Sequence, residues 1–110
     1  MPDSAMSLIV SIVRKGWGSL ALQASVEAGA RGGTLLTGRG AGLNEQEKIF
    51  GVAIEPEKEV LLTLVPAERA PAILDAIVRA AELDDTGRGI AFVLPVGAVA
   101  GVAHFMRAQA

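Results

Sequence analysis

The chain of 110 residues contains no cysteine, no tyrosine and one histidine. The absence of cysteine excludes disulfide bonds, thiolate catalysis and any zinc site built on cysteine ligands. One histidine without tyrosine leaves few side chains that can act as a general base near neutral pH. No residues form the set of nucleophile, base and orienting group that an enzyme needs, so we predict neither catalytic residues nor enzymatic activity.

Basic charge is also scarce, with ten lysines and arginines against twelve aspartates and glutamates and a formal net charge of −2. A nucleic-acid binder would carry clustered basic residues and a high pI, so we expect no nucleic-acid partner. The longest apolar run, residues 90–103, is broken by Pro95 and is shorter than the roughly 20 residues of a membrane span. Residues 1–5 do not resemble a secretory signal, and we expect a cytoplasmic protein.

Apolar residues and glycine are abundant: 51% of the chain is hydrophobic, and glycine occurs 13 times. This length and composition favour one globular domain. We expect a disordered N-terminal tail over residues 1–6 and a single folded domain over residues 7–110.

The apolar pattern repeats one plan, strand–helix–strand, in both halves of the chain. The predicted elements are strands over 7–14, 34–37, 59–65 and 90–96 and helices over 17–29 and 67–82. The order βαββαβ predicts an α+β, ferredoxin-like sandwich, a four-stranded antiparallel sheet with two helices on one face. The other face of this sheet is apolar as well, which predicts that it is covered in an oligomer.

Helical spacing also predicts which side chains face the core. The first helix would present Trp17, Leu20, Ala21, Ala24 and Ala28, and the second Ala70, Ile73, Leu74, Ile77 and Ala81. Pro71 falls in the first turn of the second helix, where its missing N–H does little harm.

A long loop, residues 38–58, joins the second and third strands of the sheet. Connections of this length are commonly functional, and we expect a protruding hairpin with an apolar patch at residues 49–52. The loop begins with Arg39 among Gly38, Gly40 and Gly42, where glycine permits an anion to approach the backbone. A flexible turn is the simpler interpretation, since the segment lacks the Gly-Lys-Ser/Thr ending of a P-loop.

A second cluster, Gly87-Arg88-Gly89, precedes the last strand and is followed by Phe92-Val93-Leu94-Pro95-Val96. These residues resemble the Gly-Asp-Gly turn and the Phe-Val-x-Pro-Val strand of the PII signal-transduction proteins. Upstream, Gly32-Gly33-Thr34 and Arg39-Gly40-Ala41-Gly42 are similar to that family's second strand and to the Lys-Gly-Phe-Gly start of its long loop. The chain therefore resembles a divergent, PII-like nitrogen-regulatory protein.

The resemblance implies a homotrimer that binds a small effector, an adenine nucleotide (ADP, AMP or ATP), in clefts between subunits. It implies that the loop engages a partner such as a membrane transporter or an enzyme. We predict no resident metal. The implied ligand-binding residues are Thr34, Arg39, Gly40, Gly87, Arg88 and Gly89, and the implied partner-loop residues are Asn44, Lys48, Ile49, Phe50 and Lys58.

Several positions depart from the family's pattern. Ile90 occupies the position of its phosphate-binding lysine, while Gly101 and Ala103 replace two arginines, so affinity for ATP should be lower. Asn44 replaces the glutamine that helps to hold magnesium and 2-oxoglutarate in the nitrogen sensors. Arg88 replaces an aspartate and restores one positive charge at the turn.

Two alternatives stay open at this point. A trimer similar to the CutA proteins, which share this architecture, would bind a divalent cation through the alternating Glu55, Glu57 and Glu59. An acyl-phosphate hydrolase on the same fold would need an arginine and an asparagine around the phosphate, for which Arg39 and Asn44 are the nearby pair.

Overall fold

A computed structural model describes residues 5–41, 47–49, 52–54 and 56–101 of the chain. Its elements are β1 (Met6–Arg14), α1 (Gly18–Glu27), β2 (Thr34–Arg39), β3 (Glu47–Ile49), β4 (Val52–Ile54), β5 (Glu57–Pro66), a 3₁₀ turn (Ala67–Arg69), α2 (Ala70–Ala81) and β6 (Gly89–Val96). Both halves have the predicted strand–helix–strand order. The connection between β2 and β5 contains the short pair β3 and β4.

The main sheet has four antiparallel strands in the order β2-β5-β1-β6. β1 is central and pairs with β5 over its whole length, from Met6 opposite Pro66 to Arg14 opposite Lys58. The two helices pack against each other and against this sheet. The predicted ferredoxin-like fold, with a four-stranded antiparallel sheet and two helices, is confirmed.

The ends of two predicted segments differ from the structure. Met6, which the sequence assigned to a disordered tail, is buried in β1, and the carbonyl of Ala5 accepts a hydrogen bond from the Ala67 N–H. The connection is shorter than residues 38–58, because the β2–β5 ladder continues through Gly38 opposite Lys58 to its last pair, Arg39 opposite Glu57.

At the position of the predicted hairpin, β3 and β4 pair from Glu47 opposite Ile54 to Ile49 opposite Val52, while Phe50 and Gly51 of the predicted apolar patch lie outside the described residues. Together these strands form a separate two-stranded sheet. The connection therefore has regular structure of its own, beyond the ladder that joins β2 to β5.

The two helices bury different kinds of side chains. α2 buries Ala70, Ile73, Ile77 and Ala81, as the spacing predicts, with Pro71 in its first turn. α1 instead buries Gly18, Ala21 and Ser25, while Leu20, placed on the predicted apolar face, is 48% exposed. Small side chains on this face let the helix approach the sheet closely. The predicted face is therefore right at Ala21, which is buried in the core, and wrong at Leu20, while Leu22, outside the predicted face, packs against the core.

The core lies between the helices and the sheet and is built mainly from Ile9, Leu61, Val65, Ile73 and Ile77, all fully buried. Two hydroxyl groups share this layer: Ser11 and Thr63 are fully buried, and neither side chain has a hydrogen-bond partner among the described residues. A buried hydroxyl without a partner loses its hydration without compensation.

We expect Thr63→Val to raise the free energy of unfolding by about 1 kcal/mol, since valine has the same shape without the buried hydroxyl. Urea unfolding at a fixed protein concentration measures the change. The matched control is Thr37→Val on the edge strand β2, where the side chain is exposed and the expected change is within about 0.5 kcal/mol. A destabilised Thr63→Val variant would show that this hydroxyl has a partner in solution.

Candidate functional site

The two glycine clusters lie at the same end of the sheet but on opposite edges. One row of paired residues crosses the sheet at this end and runs through Thr37, Glu59, Val13 and Gly89. Three strand spacings separate its ends, a distance of ~14 Å. Within one subunit, Arg39 on β2 and the turn before β6 therefore do not meet.

Thr34, a third element of the predicted site, is distant from this row. It begins β2 opposite Leu62, five positions before Arg39, which corresponds to ~16 Å along a strand. The side chain is exposed. The structure therefore does not bring Thr34 together with either glycine cluster in the same subunit.

At the β2 edge, the predicted backbone anion site is already partly occupied by the chain itself. The Gly40 N–H donates a hydrogen bond of 3.2 Å to the carbonyl of Pro56. Arg39 is exposed and is the ladder partner of Glu57. The recognition of an anion at this edge would therefore depend on the Arg39 side chain more than on the Gly40 amide.

Glu57 links Arg39 to a second cation, because its Oε1 lies 2.9 Å from the Lys15 Nζ. The hydrogen bond from Lys15 and the charge of that ammonium lower the pKa of Glu57, and Arg39 lowers it further. The same hydrogen bond raises the pKa of Lys15. Glu57 therefore stays charged to a lower pH than a free glutamate, and this edge carries two cations around one carboxylate at neutral pH.

At the β6 edge, the turn needs both of its glycines for the backbone path. Gly87 has φ +80° and Gly89 has φ +139°, conformations that L side chains rarely adopt. A Cβ at Gly89 would lie 2.2 Å from the carbonyl oxygen of Ile12 in β1. Gly89 thus lets β6 start its pairing with the end of β1.

Arg88, between these glycines, is fixed by contacts within its own chain. Its backbone N–H donates to the carbonyl of Asp85. Its guanidinium lies 4.8 Å from the centroid of the Trp17 ring, and its Nη2 is 3.2 Å from the Glu82 Oε1. The side chain is 27% exposed, so it is held in place yet remains reachable from solvent.

Glu82 makes this contact from an unusual backbone conformation. It caps the C-terminus of α2 with φ 57° and ψ 44°, the only described residue other than glycine with positive φ. Glycine or asparagine is usual at such a cap, and another residue there costs about 1 kcal/mol. Backbone conformational preference alone therefore does not explain the glutamate at position 82.

Glu59 positions the other partner of Arg88, Trp17, by fixing the start of α1. No side chain within the helix caps it, and the Gly18 N–H donates instead to the Glu59 Oε1 at 2.7 Å. A Cβ at Gly18 would lie 2.5 Å from this oxygen, so glycine is required for the contact. Trp17 immediately precedes this fixed turn and is thereby held near the turn before β6.

The family model described as Nitrogen regulatory protein P-II matches residues 6–104. The chain belongs to the PII family. A solved structure of Arabidopsis thaliana PII bound to citrate superposes with a TM-score of 0.65 and 25% sequence identity, covering 87% of this chain and 79% of that chain. No curated protein sequence matches.

Several positions named from the PII resemblance can be located in the structure. Lys58, assigned to the partner loop, is instead 6% exposed within β5, because the ladder extends beyond the predicted strand. Ile90, at the family's lysine position, is 57% exposed. Lys48 and Ile49 belong to β3, Gly101 ends the described region with φ +87°, and Asn44, Phe50 and Ala103 lie outside the described residues.

The metal site of the CutA-like alternative has two of its three carboxylates engaged elsewhere. Glu57 pairs with Lys15 and Glu59 caps α1, while Glu55 lies outside the described residues. In the part of the chain that the structure describes, no three side chains of the metal-binding types cluster together. Likewise, none of the described helices has the length and apolar character to cross a membrane.

Sequence reasoning did not find the contacts that hold Arg88. The sequence predicts only a packing role for Trp17, and nothing in it links this residue to a turn some seventy positions later. The ion pair between Glu82 and Arg88 has a weak signal in the sequence, because an acidic and a basic residue stand on either side of one short turn at the end of a helix. The capping role of Glu59 has no signal in the sequence, because it depends on how closely α1 approaches β5.

We expect Glu59→Ala to lower the free energy of unfolding by about 1 kcal/mol, the usual effect of losing a helix N-cap. Urea unfolding, together with the fluorescence of Trp17 in the folded state, measures the loss. The matched control is Glu57→Ala, two positions away in the same strand, which removes only an exposed ion pair and should change stability much less. Equal losses in both variants would argue against the cap.

We expect Gly89→Ala to destabilise the fold by more than ~1 kcal/mol, because a methyl group meets the Ile12 carbonyl and the φ value is unfavourable for alanine. Thermal unfolding followed by circular dichroism measures the effect. Gly97→Ala is the control, since Gly97 has open space around it and no positive φ. A Gly89→Ala variant as stable as the wild type would contradict the close approach of β6 to β1.

Proposed function

We propose that this chain is a non-enzymatic PII-like regulator acting in the cytoplasm. Three copies would associate through the open face of the sheet, the face that the helices do not cover. A small anionic effector, an adenine nucleotide, would bind in the clefts between subunits. The connection between β2 and β5 would transmit the binding state to a partner protein such as a membrane transporter.

The open face supports assembly because its apolar side chains are continuous across all four strands. It comprises Leu36 of β2, Val60, Leu62 and Leu64 of β5, Leu8, Val10 and Ile12 of β1, and Ile90, Phe92 and Leu94 of β6. Leu36, Phe92 and Leu94 are 46%, 38% and 45% exposed in one subunit. A contiguous apolar surface of this kind is typical of an interface between protein subunits.

The observation that carries the proposal is the position of the two glycine clusters. They lie at the same end of the sheet on its two outer edges, ~14 Å apart across the four strands. A neighbouring copy that covers the open face would bring its own edge alongside, so that Arg39 of one subunit and Arg88 of another could line a common cleft. The site is therefore expected to be complete only in the oligomer.

An anionic ligand fits the charges at this end of the sheet. Arg39 is exposed, and Arg88 is fixed but reachable, so each guanidinium retains N–H groups for a phosphate or carboxylate. The solved PII relative was crystallised with citrate, a small polycarboxylate anion. The same chemistry supports binding of an anionic effector here, with adenine nucleotides as the class that the family resemblance favours.

The connection is suited to partner contact because its strands pair with each other and not with the main sheet. β3 and β4 form their own two-stranded ladder, joined to the sheet through the β2–β5 pairing. A ligand next to Arg39 would contact the base of this connection directly. Changes in ligand occupancy would then alter the position of the hairpin without unfolding the main sheet.

Isothermal titration of the full chain with ATP, ADP, AMP and citrate tests the proposal. We expect a dissociation constant below about 1 mM for at least one adenine nucleotide, and an approximately ten-fold weakening in both Arg88→Ala and Arg39→Ala. Arg79→Ala is the control, because Arg79 is an exposed arginine that pairs with Asp75 on the solvent side of α2. Sedimentation equilibrium should give a trimer.

A monomeric protein, or a trimer that binds none of these ligands, would contradict the proposal. Thermal unfolding of the arginine variants separates a loss of contact with the ligand from a loss of fold. A trimer whose ligand affinity is unchanged by Arg88→Ala and by Arg39→Ala would also contradict it, since the ligand would then bind elsewhere.

A further inference from the structure

We infer that Glu82 is a specificity-determining residue of the proposed cleft: by holding Arg88, it makes the site favour ligands with one anionic group over polyphosphates. This inference rests on the proposed function, and it concerns which nucleotide is bound and not whether one is bound. The expected effector is accordingly a nucleoside monophosphate.

The geometry around the Arg88 guanidinium favours a ligand with a single anionic group. Arg88 has the Trp17 ring on one side at 4.8 Å and the Glu82 carboxylate at 3.2 Å. A ligand anion at Arg88 must therefore share the guanidinium with a carboxylate that is already hydrogen-bonded to it. One anionic group can use the remaining N–H donors, but each additional charge on the ligand also meets the negative charge of Glu82.

The net charge of the whole turn also disfavours polyphosphates. Residues 82–89 contain three carboxylates, on Glu82, Asp84 and Asp85, and one cation, Arg88. Ile90, which follows the turn and is 57% exposed, adds no charge. Because carboxylates outnumber cations at this turn, the net Coulomb repulsion grows with the number of charges on the ligand, and a triphosphate is disfavoured here more than a monophosphate.

The backbone conformation of Glu82 points to a role for its side chain. Its φ of 57° and ψ of 44° would be adopted more readily by glycine or asparagine. Neither of those residues carries a charge to hold Arg88, and the ion pair supplies a reason for glutamate at this position. The carboxylate of Glu82 thus combines a fixed backbone position with direct contact to the cation.

The test compares wild type, Glu82→Gln and Glu82→Gly in the full-length protein by isothermal titration with AMP and ATP, without divalent cations and at low salt. We expect wild type to bind AMP more tightly than ATP. Glu82→Gln should tighten ATP binding by about five-fold and AMP binding by less than about two-fold, since removing one charge matters more for the more highly charged ligand. Glu82→Gly, which suits the positive φ, should show the same shift.

Glu68→Gln is the matched control. It removes the same charge from the exposed 3₁₀ turn at the other end of α2, ~21 Å away along the helix. This variant should leave the ATP-to-AMP ratio, the dissociation constant for ATP divided by that for AMP, unchanged. Raising the salt concentration should reduce the ratio in wild type by screening the repulsion. Equal changes for both nucleotides in Glu82→Gln, or a ratio that also shifts in Glu68→Gln, would overturn the inference.

A readout without ligand separates the two levels of the proposal. Trp17 is the only tryptophan, and release of Arg88 from Glu82 should change its fluorescence in Glu82→Gln but not in Glu68→Gln. If wild type binds neither nucleotide, both the proposed function and this inference fail. If it binds both but the ATP-to-AMP ratio does not respond to Glu82→Gln, only the inference fails.

Discussion

Pairing of β1 with β5 on one side and β6 on the other determines where the other elements of the subunit lie. Both ladders run along almost the whole of β1, so β2 and β6 become the two outer edges. The strand alternation of β1 then assigns Ile9 and Val13 to the helix side and leaves Val10 on the open face. The same ladders bring the end of β2 and the start of β6 to one end of the sheet, which makes this end the candidate site.

The fold could be predicted from sequence wherever one pattern determined one element. β-branched runs predicted the central strands, and α2 has a continuous apolar face with Pro71 in its first turn. Prediction failed where contacts between residues distant in sequence, and not a local sequence pattern, determined how an element packs. α1 is held by Glu59 and by small side chains that face the sheet, so the spacing placed Ala21 correctly in the core but also placed the exposed Leu20 there.

The candidate site was predictable as a set of positions but not as a set of contacts. Both glycine clusters are visible in the sequence, but only the second needs glycine for its backbone: Gly89 has a positive φ and a close approach to β1, whereas Gly38 and Gly40 have neither. The sequence suggested that backbone amides would hold the ligand, yet the Gly40 N–H is bonded to Pro56. Which donors remain free depends on the register of the β2–β5 ladder, and register is a property of the folded sheet.

That hydrogen bond between Gly40 and Pro56 has a consequence for how such a protein can diverge. It closes the connection at its base, and the described strands within the connection, β3 and β4, pair with each other in a sheet of their own. Loop-closure entropy rises slowly with length, by about 0.6 kcal/mol for each doubling. Residues 41–55 can therefore change in sequence and in length at little expense to the fold, so that new binding partners can arise while the subunit core stays the same.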